Sequence, residues 1–164
     1  MRSAFGRNLE DSDIYQHVTS PERVYLLRTR EDNPFFMETR YPIVAMASYN
    51  RKVLSGIPSL IVEGIAVSPR FQGKGVFREM TNMAYSGEAA ICLRTQNPRM
   101  YRALETYCSS VYPNTDETPE AIIAIRNALG MHMGCKIDEK GIVRGYYGGL
   151  FYGKEPCHDK ITPF

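Results

Sequence analysis

The chain lacks the sequence features of membrane, disulfide-rich and polyanion-binding proteins. Its longest mainly apolar run, Leu60–Val67, is interrupted by Glu63, whereas a membrane span needs about 20 apolar residues. Four cysteines are too few for a disulfide scaffold, so we expect reduced thiols. A net charge of +2 is too small to predict binding to nucleic acid or another polyanion. We therefore expect no membrane span, no structural disulfide and no nucleic-acid partner.

The sequence also lacks a visible secretion signal, internal repeats and low-complexity linkers. Its N-terminal residues contain no apolar segment of the kind that a signal peptide requires, which together with reduced thiols predicts a cytoplasmic location. With 43% apolar and 23% charged residues, the 164 residues have the composition and length of one globular domain. We predict a single domain over residues 1–164, with an irregular polar segment at 1–22 and a helix plus a hairpin at 118–152.

Periodicity predicts strands in the first part of the chain and alternating strands and helices after it. The predicted strands are Arg23–Arg30, Ile43–Tyr49, Leu60–Val67 and Ala89–Leu93. The predicted helices are Val76–Tyr85, with Met83 on its apolar stripe, a helix that Asn97 and Pro98 open, and 118–129, which Gly130 ends. The leading strands indicate antiparallel pairing, and the strand–helix–strand segment 60–93 requires a parallel pair. The fold class is therefore α/β, with a mixed sheet of about six strands and three to four helices.

A glycine-containing loop joins the buried strand Leu60–Val67 to the following helix. Gly73 and Gly75 allow the backbone to approach a ligand closely, and the first N–H groups of the helix form an anion site suited to phosphate. A dinucleotide-binding fingerprint is excluded because Arg78 stands where its third glycine is needed, and a P-loop is excluded because Gly75 follows Lys74. A turn that uses glycine only for steric reasons is the alternative interpretation.

The arrangement V-x-P-R-x-x-G-x-G in this loop resembles the acetyl-CoA loop of the GNAT N-acetyltransferase superfamily, whose pattern is Q/R-x-x-G-x-G/A. The matching positions are Val67, Pro69, Arg70, Gly73 and Gly75. The resemblance runs over about residues 24–107, roughly half of the chain. It implies a GNAT-like fold with a splayed central strand pair, and transfer of an acetyl group from acetyl-CoA to a primary amine by direct attack in a ternary complex.

The resemblance also implies which residues hold the cofactor. A bulge at the end of the strand would pair its backbone with the pantetheine arm, and the loop N–H groups would hold the pyrophosphate. The arm would meet Ile65, Ala66 and Val67, and the pyrophosphate Gln72, Gly73, Lys74, Gly75, Val76 and Phe77, with Arg70 opening the loop. Asn97 stands where the family often has a cofactor-contacting asparagine, and capping of the helix is its alternative role. Residues 68–108 carry a net charge of +3, which favours a phosphate ligand.

A metal site is not expected. The residues His132, Cys135, Cys157 and His158 have a spacing that matches no common zinc pattern.

The family chemistry needs a base that takes the proton of the amine and an acid that protonates the leaving thiolate. Glu63 is the only charged residue in its strand, which suits a base, although pairing with an arginine or an open strand edge would also explain it. The family often has a tyrosine acid at the position of Leu104 in this chain. Tyr101, one helical turn earlier, is our prediction for that acid, with Tyr107 or water as alternatives.

The resemblance is weak where the family forms its acceptor pocket, because only 22 polar residues precede the first strand. We expect either a large acceptor, such as a peptide or protein amine, or a homodimer in which a second subunit closes the site. The hairpin residues Tyr146, Tyr147, Phe151 and Tyr152 are the expected surface for such a partner. A non-catalytic module that binds acyl-CoA or a protein is the alternative function.

Overall fold

The computed structural model describes residues 15, 18–33 and 38–146 of the chain. Most of the polar segment 1–22 and the hairpin residues after Tyr146 lie outside this range, as do Cys157 and His158. The strands are β1 Arg23–Arg28, β2 Glu31–Asn33, β3 Glu38–Arg40, β4 Ile43–Leu54, β5 Ile57–Val67 and β6 Ala90–Leu93. The α-helices are α1 Val76–Ala84, α2 Pro98–Glu105 and α3 Glu120–Met133. No helix among the described residues is long and apolar enough to cross a membrane.

The main sheet is mixed, as the sequence predicts, but it is smaller than expected. Within the described residues it contains four strands in the order β1-β4-β5-β6, and β2 pairs only with β3 in a separate antiparallel ribbon. The prediction of about six strands in one sheet is therefore confirmed for four strands only. Part of the reason is that residues 134–146, where a hairpin is expected, form turns and irregular backbone.

The chain divides into two compact units, and the first comprises Met1–Arg51 and Leu60–Gly87. Its core consists of β4 and β5, whose residues Ala47, Tyr49, Leu60 and Ile61 are almost fully buried. The Tyr49 hydroxyl and Thr81 Oγ1 of α1 form a buried hydrogen bond of 3.2 Å. The expectation that Leu60–Val67 is a buried strand is thus confirmed over its first half, because apolar side chains on both faces of the strand are buried there.

The second unit comprises Lys52–Ser59 and Glu88–Phe164. In it, the Ala89 N–H donates a hydrogen bond of 2.9 Å to the Pro58 carbonyl, so the start of β6 lies beside the start of β5. The helix α3 buries Ile125 and Leu129, and the Ser55 hydroxyl donates to the carbonyl of Ala124 in the same helix.

Two details of the helices differ from the sequence predictions. Met83, expected on the apolar stripe of α1, is 65% exposed. Gly130, expected to end α3, lies inside it, and the helix ends at Gly134 with a φ of 64°. The reason is a close contact: a Cβ on Gly130 would lie 2.8 Å from the Cys135 carbonyl oxygen, so glycine here lets the chain fold back onto the helix.

Candidate functional site

The loop after β5 has a defined backbone path into α1. Pro69–Phe71 form a 3₁₀ turn, in which the Phe71 N–H donates a hydrogen bond of 2.8 Å to the Ser68 carbonyl. Gly73 and Gly75 follow with φ values of 73° and 77°, in the left-handed region that disfavours side chains. Gly75 is the N-cap of α1 and supplies no side-chain cap. The two glycines are therefore required by backbone conformation.

Space is left beside both glycines. A Cβ built on Gly73 or on Gly75 would meet no atom within 4 Å. The first bond of α1 runs from the Glu79 N–H to the Gly75 carbonyl, at 3.1 Å. The N–H groups of Val76, Phe77 and Arg78 therefore have no acceptor within the helix. They lie at the positive end of the helix dipole. Open backbone of this kind can hold a phosphate group.

The side chains of the loop restrain it from within. Gln72 Nε2 donates a hydrogen bond of 3.0 Å to the carbonyl of Val67, the last residue of β5. The Lys74 ammonium lies 5.4 Å from the centre of the Phe71 ring, in a cation–π contact. Lys74 and Arg70 are exposed, and both add positive charge where an anion would approach.

β5 contains an irregularity between its turn and this loop. The two-residue turn at 55–56, with φ values of 48° and 82°, sets Leu54 opposite Ile57. Further along, the Ser68 N–H donates a hydrogen bond of 2.8 Å to the Val44 carbonyl. From Ile57 to Ser68 the chain advances eleven residues, whereas the facing segment from Leu54 back to Val44 spans ten. One extra residue on one strand of a pair defines a β-bulge. The extra residue falls within the strand for which the resemblance implies a bulge at its end, Ile65–Val67.

Glu63 is partly buried in β5 and accepts a hydrogen bond of 2.9 Å at Oε1 from Asn50 Nδ2 of β4. The same Asn50 accepts a hydrogen bond of 2.7 Å at Oδ1 from the backbone N–H of Glu22. The Glu22 carboxylate in turn accepts a hydrogen bond of 3.1 Å at Oε2 from the Arg51 N–H. The carboxylate proposed as base is thus held by a polar network within the first unit.

Asn50 and Glu22 were not predicted as site residues. The available signal was a polar residue directly after the apolar run 43–49. The predicted strand ended at Tyr49, whereas β4 continues to Leu54 and so includes Asn50.

Two other predicted site residues, Asn97 and Tyr101, belong to the second unit. Asn97 is the N-cap of α2, and its Oδ1 accepts a hydrogen bond of 3.0 Å from the Arg99 N–H, which confirms the capping role. The Tyr101 hydroxyl donates a hydrogen bond of 2.6 Å to the Pro113 carbonyl. Leu104, at the position of the usual family tyrosine, is buried. A role for Tyr101 as an acid would require it to release this bond.

Among the described residues, the cysteines and His132 form no second candidate centre. Burial raises the pKa of the Cys92 thiol to about 11, so this thiol is protonated at neutral pH. Burial also raises the pKa of Cys108. Among the residues whose side chains the structure describes, no group of three histidine, cysteine or carboxylate side chains is placed to hold a metal ion.

Comparison with known proteins returns structural similarities only. No family model matches the sequence, and no curated protein matches it. A mutant of the BH1408 protein from Bacillus halodurans is similar at 17% identity and a TM-score of 0.44, over 70% of this chain and 76% of that one. An aminoglycoside 6'-N-acetyltransferase from Acinetobacter haemolyticus is similar at 15% identity and a TM-score of 0.42, over 66% and 77%.

An aminoglycoside acetyltransferase from an uncultured soil metagenomic sample, solved with sisomicin, is similar at 14% identity and a TM-score of 0.39, over 68% and 75% of the two chains. At TM-scores below 0.5, these similarities add no argument about activity, which has to be argued from the residues of the chain.

Proposed function

We propose that this protein is an N-acetyltransferase that moves an acetyl group from acetyl-CoA to a primary amine. The observation that supports it most is the β5–loop–α1 segment. Gly73 and Gly75 adopt left-handed conformations with open space beside them, next to the N-terminus of α1. This geometry meets the requirement that the sequence motif implies, namely backbone N–H groups that a pyrophosphate can approach closely.

In this proposal the cofactor binds along the first unit. The backbone of Ile65–Val67 pairs with the pantetheine arm, and the N–H groups of residues 73–77 hold the pyrophosphate. The Gln72 N–H, also predicted to contact it, donates a hydrogen bond of 3.3 Å to the Pro69 carbonyl. Arg70 and Lys74 are exposed at the loop and add favourable charge for the phosphates. Asn97 remains a second candidate for cofactor contact, although its Oδ1 already caps α2.

The proposed reaction is one displacement at the acetyl carbonyl. Glu63 takes a proton from the ammonium group of the acceptor, and the neutral amine then attacks the thioester carbon. The C–N bond forms, the C–S bond breaks, the electron pair leaves on sulfur, and the nitrogen loses its second proton to water to give the neutral amide. Tyr101, Tyr107 or water then protonates the thiolate of coenzyme A. No metal takes part in these steps.

Binding of coenzyme A to a glycine variant tests the cofactor site. Gly75→Val adds a branched side chain to the space that the pyrophosphate would occupy, so affinity should fall at least tenfold. The left-handed φ also makes this variant about 1 kcal/mol less stable. Gly56→Val is the matched control, because Gly56 has a φ of 82° and equally open surroundings but lies in the β4–β5 turn. Equal calorimetric affinities in the two folded variants would contradict the proposal.

Turnover is tested by thiol release from acetyl-CoA with a panel of amines, namely an aliphatic diamine, a lysine-containing peptide and an aminoglycoside. Glu63→Gln keeps the shape of the side chain and removes the proton acceptor. We expect a rate loss of about 100- to 10,000-fold, with little change in coenzyme A affinity. Full turnover in this variant would show that Glu63 is structural.

A non-catalytic module that binds acyl-CoA is the second candidate. The observation that favours it is the pairing of the Tyr101 hydroxyl with Pro113, together with Leu104 at the usual tyrosine position. Coenzyme A binding without thiol release for any amine of the panel would support this candidate.

We propose a cytoplasmic location and an acceptor that is either a peptide or protein amine, or an amine enclosed by a second subunit. The location is supported by the unpaired cysteines Cys92, Cys108 and Cys135. Of the predicted partner surface, Tyr146 is described: it is 38% exposed and its ring centre lies 4.7 Å from the Arg94 guanidinium. Light scattering of the protein in solution decides whether a second subunit is present.

A further inference from the structure

We infer that Asn50 is the positioning residue of Glu63: it holds the carboxylate in the orientation that the proposed base role requires. The inference rests on the proposed function, since it assigns a task to a residue that the sequence motif does not include. It concerns only β4, β5 and the residue before β1, all of which contribute to the first unit.

The orientation of the Asn50 amide is determined by its partners. At one end, the N–H of Glu22 can only donate, so the oxygen of the amide must face it, at 2.7 Å. The NH₂ group at the other end therefore faces Glu63 and donates to Oε1 at 2.9 Å. A rotation of the amide would lose both bonds and would place an oxygen against the carboxylate. Asn50 is thus the donor and Glu63 the acceptor in this hydrogen bond.

Asn50 is held in place from the side of β4. Its side chain is buried, at 9% exposure, within the strand β4. Glu22 is attached to the same strand at two points, by its N–H to Asn50 and by its carboxylate to the Arg51 N–H. A side chain with two fixed bonds and little free space has one orientation, and it transmits that orientation to Glu63. A carboxylate can accept several hydrogen bonds, so the bond at Oε1 is compatible with a second partner.

A wholly structural role is the competing explanation, in which Asn50 only satisfies the part-buried N–H of Glu22. The two roles can be separated because each uses a different atom of Asn50. Asn50→Asp is isosteric and keeps an oxygen for the Glu22 N–H. It replaces the donor to Glu63 with a second carboxylate oxygen, which repels the Glu63 carboxylate.

The experiment measures steady-state thiol release, with the fastest amine of the panel, for Asn50→Asp, Glu63→Gln and the double variant. Ser48→Ala is the matched control, because Ser48 Oγ donates to the Gly64 carbonyl between the same two strands without contact to the Glu63 carboxylate. We expect Asn50→Asp to lower kcat on the order of 100-fold, as displacement of a reacting group does. The KM for acetyl-CoA should stay within about twofold, and Ser48→Ala should match the wild type.

The double variant distinguishes positioning from general destabilisation. Once Glu63 is replaced there is no base to position, so kcat of the double variant should equal that of Glu63→Gln alone. The melting temperature should also show coupling between the two positions. Asn50→Asp should lower Tm by roughly 5 °C. Adding Glu63→Gln should restore most of this loss, because the amide that this substitution introduces can donate to the new carboxylate on β4.

Each failure has a distinct signature. Turnover of Asn50→Asp equal to that of Ser48→Ala would overturn the inference and leave the proposed function standing. Multiplied rate losses in the double variant would likewise show that Asn50 acts through the fold alone. Full turnover of Glu63→Gln would show that Glu63 is structural and would overturn the inference, while the acetyltransferase proposal would stand. No thiol release with any amine would overturn the proposed function and the inference with it. Recovery of Tm in the double variant would then show that the contact is structural.

Discussion

The side-chain amide of Gln72 donates a hydrogen bond of 3.0 Å to the carbonyl of Val67, which joins the middle of the candidate phosphate loop to the end of β5. The bond closes the turn that Pro69–Phe71 begin and so limits the conformations of the loop before any ligand binds. A ligand that needs this loop ordered then loses less conformational entropy on binding.

Replacing Gln72 with Met should weaken coenzyme A binding about threefold. Met keeps the length and the apolar stem of the side chain, but it cannot donate to the Val67 carbonyl. Because Gln72 is exposed, Tm should fall by no more than about 2 °C. Calorimetry with coenzyme A is the measurement, and Asn127→Ala on the exposed side of α3 is the control. Unchanged affinity would mean that the loop is ordered without this bond.

Tyr101→Phe should destabilise the second unit. The hydroxyl of Tyr101 is the donor to the Pro113 carbonyl at 2.6 Å, and its loss costs about 1 kcal/mol, or roughly 3 °C in Tm. Tyr25→Phe is the control, since the hydroxyl of Tyr25 makes an exposed and longer bond of 3.4 Å to the Met83 carbonyl. Equal Tm values for the two variants would contradict the expected difference.

The same pair of variants reports on the proposed acid. If Tyr101 protonates the leaving thiolate, kcat should fall at least tenfold in Tyr101→Phe and stay unchanged in Tyr25→Phe. A kcat of wild-type size in Tyr101→Phe, measured below its Tm, assigns the proton to Tyr107 or to water.

Stability should fall between about pH 9 and pH 11 because of Cys92. Burial raises the pKa of its thiol from the ordinary value of 9.0 to about 11 in the folded state. Below pH 9 the thiol is protonated in both states, so the full stability is present. As pH rises past 9 the unfolded chain loses this proton while the folded chain keeps it, so unfolding is favoured, by up to about 3 kcal/mol.

Urea unfolding at pH 8 and pH 10.5 measures this loss. Cys92→Ala should be less stable at pH 8 because a buried side chain is shortened, but its stability should depend less on pH. If the stability of the wild type and of Cys92→Ala changed equally between pH 8 and pH 10.5, groups other than Cys92 would cause the loss at high pH.

Gly130→Ala should destabilise α3 even though alanine favours helices. The added Cβ would lie 2.8 Å from the Cys135 carbonyl oxygen, a backbone atom that moves only with the chain. Overpacking of this kind costs about 1–3 kcal/mol. Asn127→Ala in the same helix is exposed and should be neutral or slightly stabilising. A Gly130→Ala variant as stable as Asn127→Ala would show that the turn after α3 is free to relax.

Local elements of this protein follow from the sequence itself. Asn97 and Pro98 start α2 because a side-chain cap and a missing N–H both suit the first helical turn, and the structure shows that cap. Val76–Ala84 form a helix within one residue of the predicted end. The mixed character of the sheet was also predictable, since a helical crossover is the usual connection between parallel strands. The loop with its two glycines was recognisable because its signal is a contiguous motif.

Tertiary contacts decided the rest. Periodicity predicted neither β2 nor β3, because strands of three residues are too short to show an alternating pattern, so the separate β2–β3 ribbon was not foreseen. Gly130 resembles a helix stop in sequence, but a carbonyl that returns five residues later gives it a packing role inside α3. The hydrogen bonds that hold Glu63 could not be predicted from the sequence either. Asn50 and Glu22 lie 13 and 41 positions away in the chain, and only the pairing of β4 with β5 and with the start of β1 brings their polar atoms into one network.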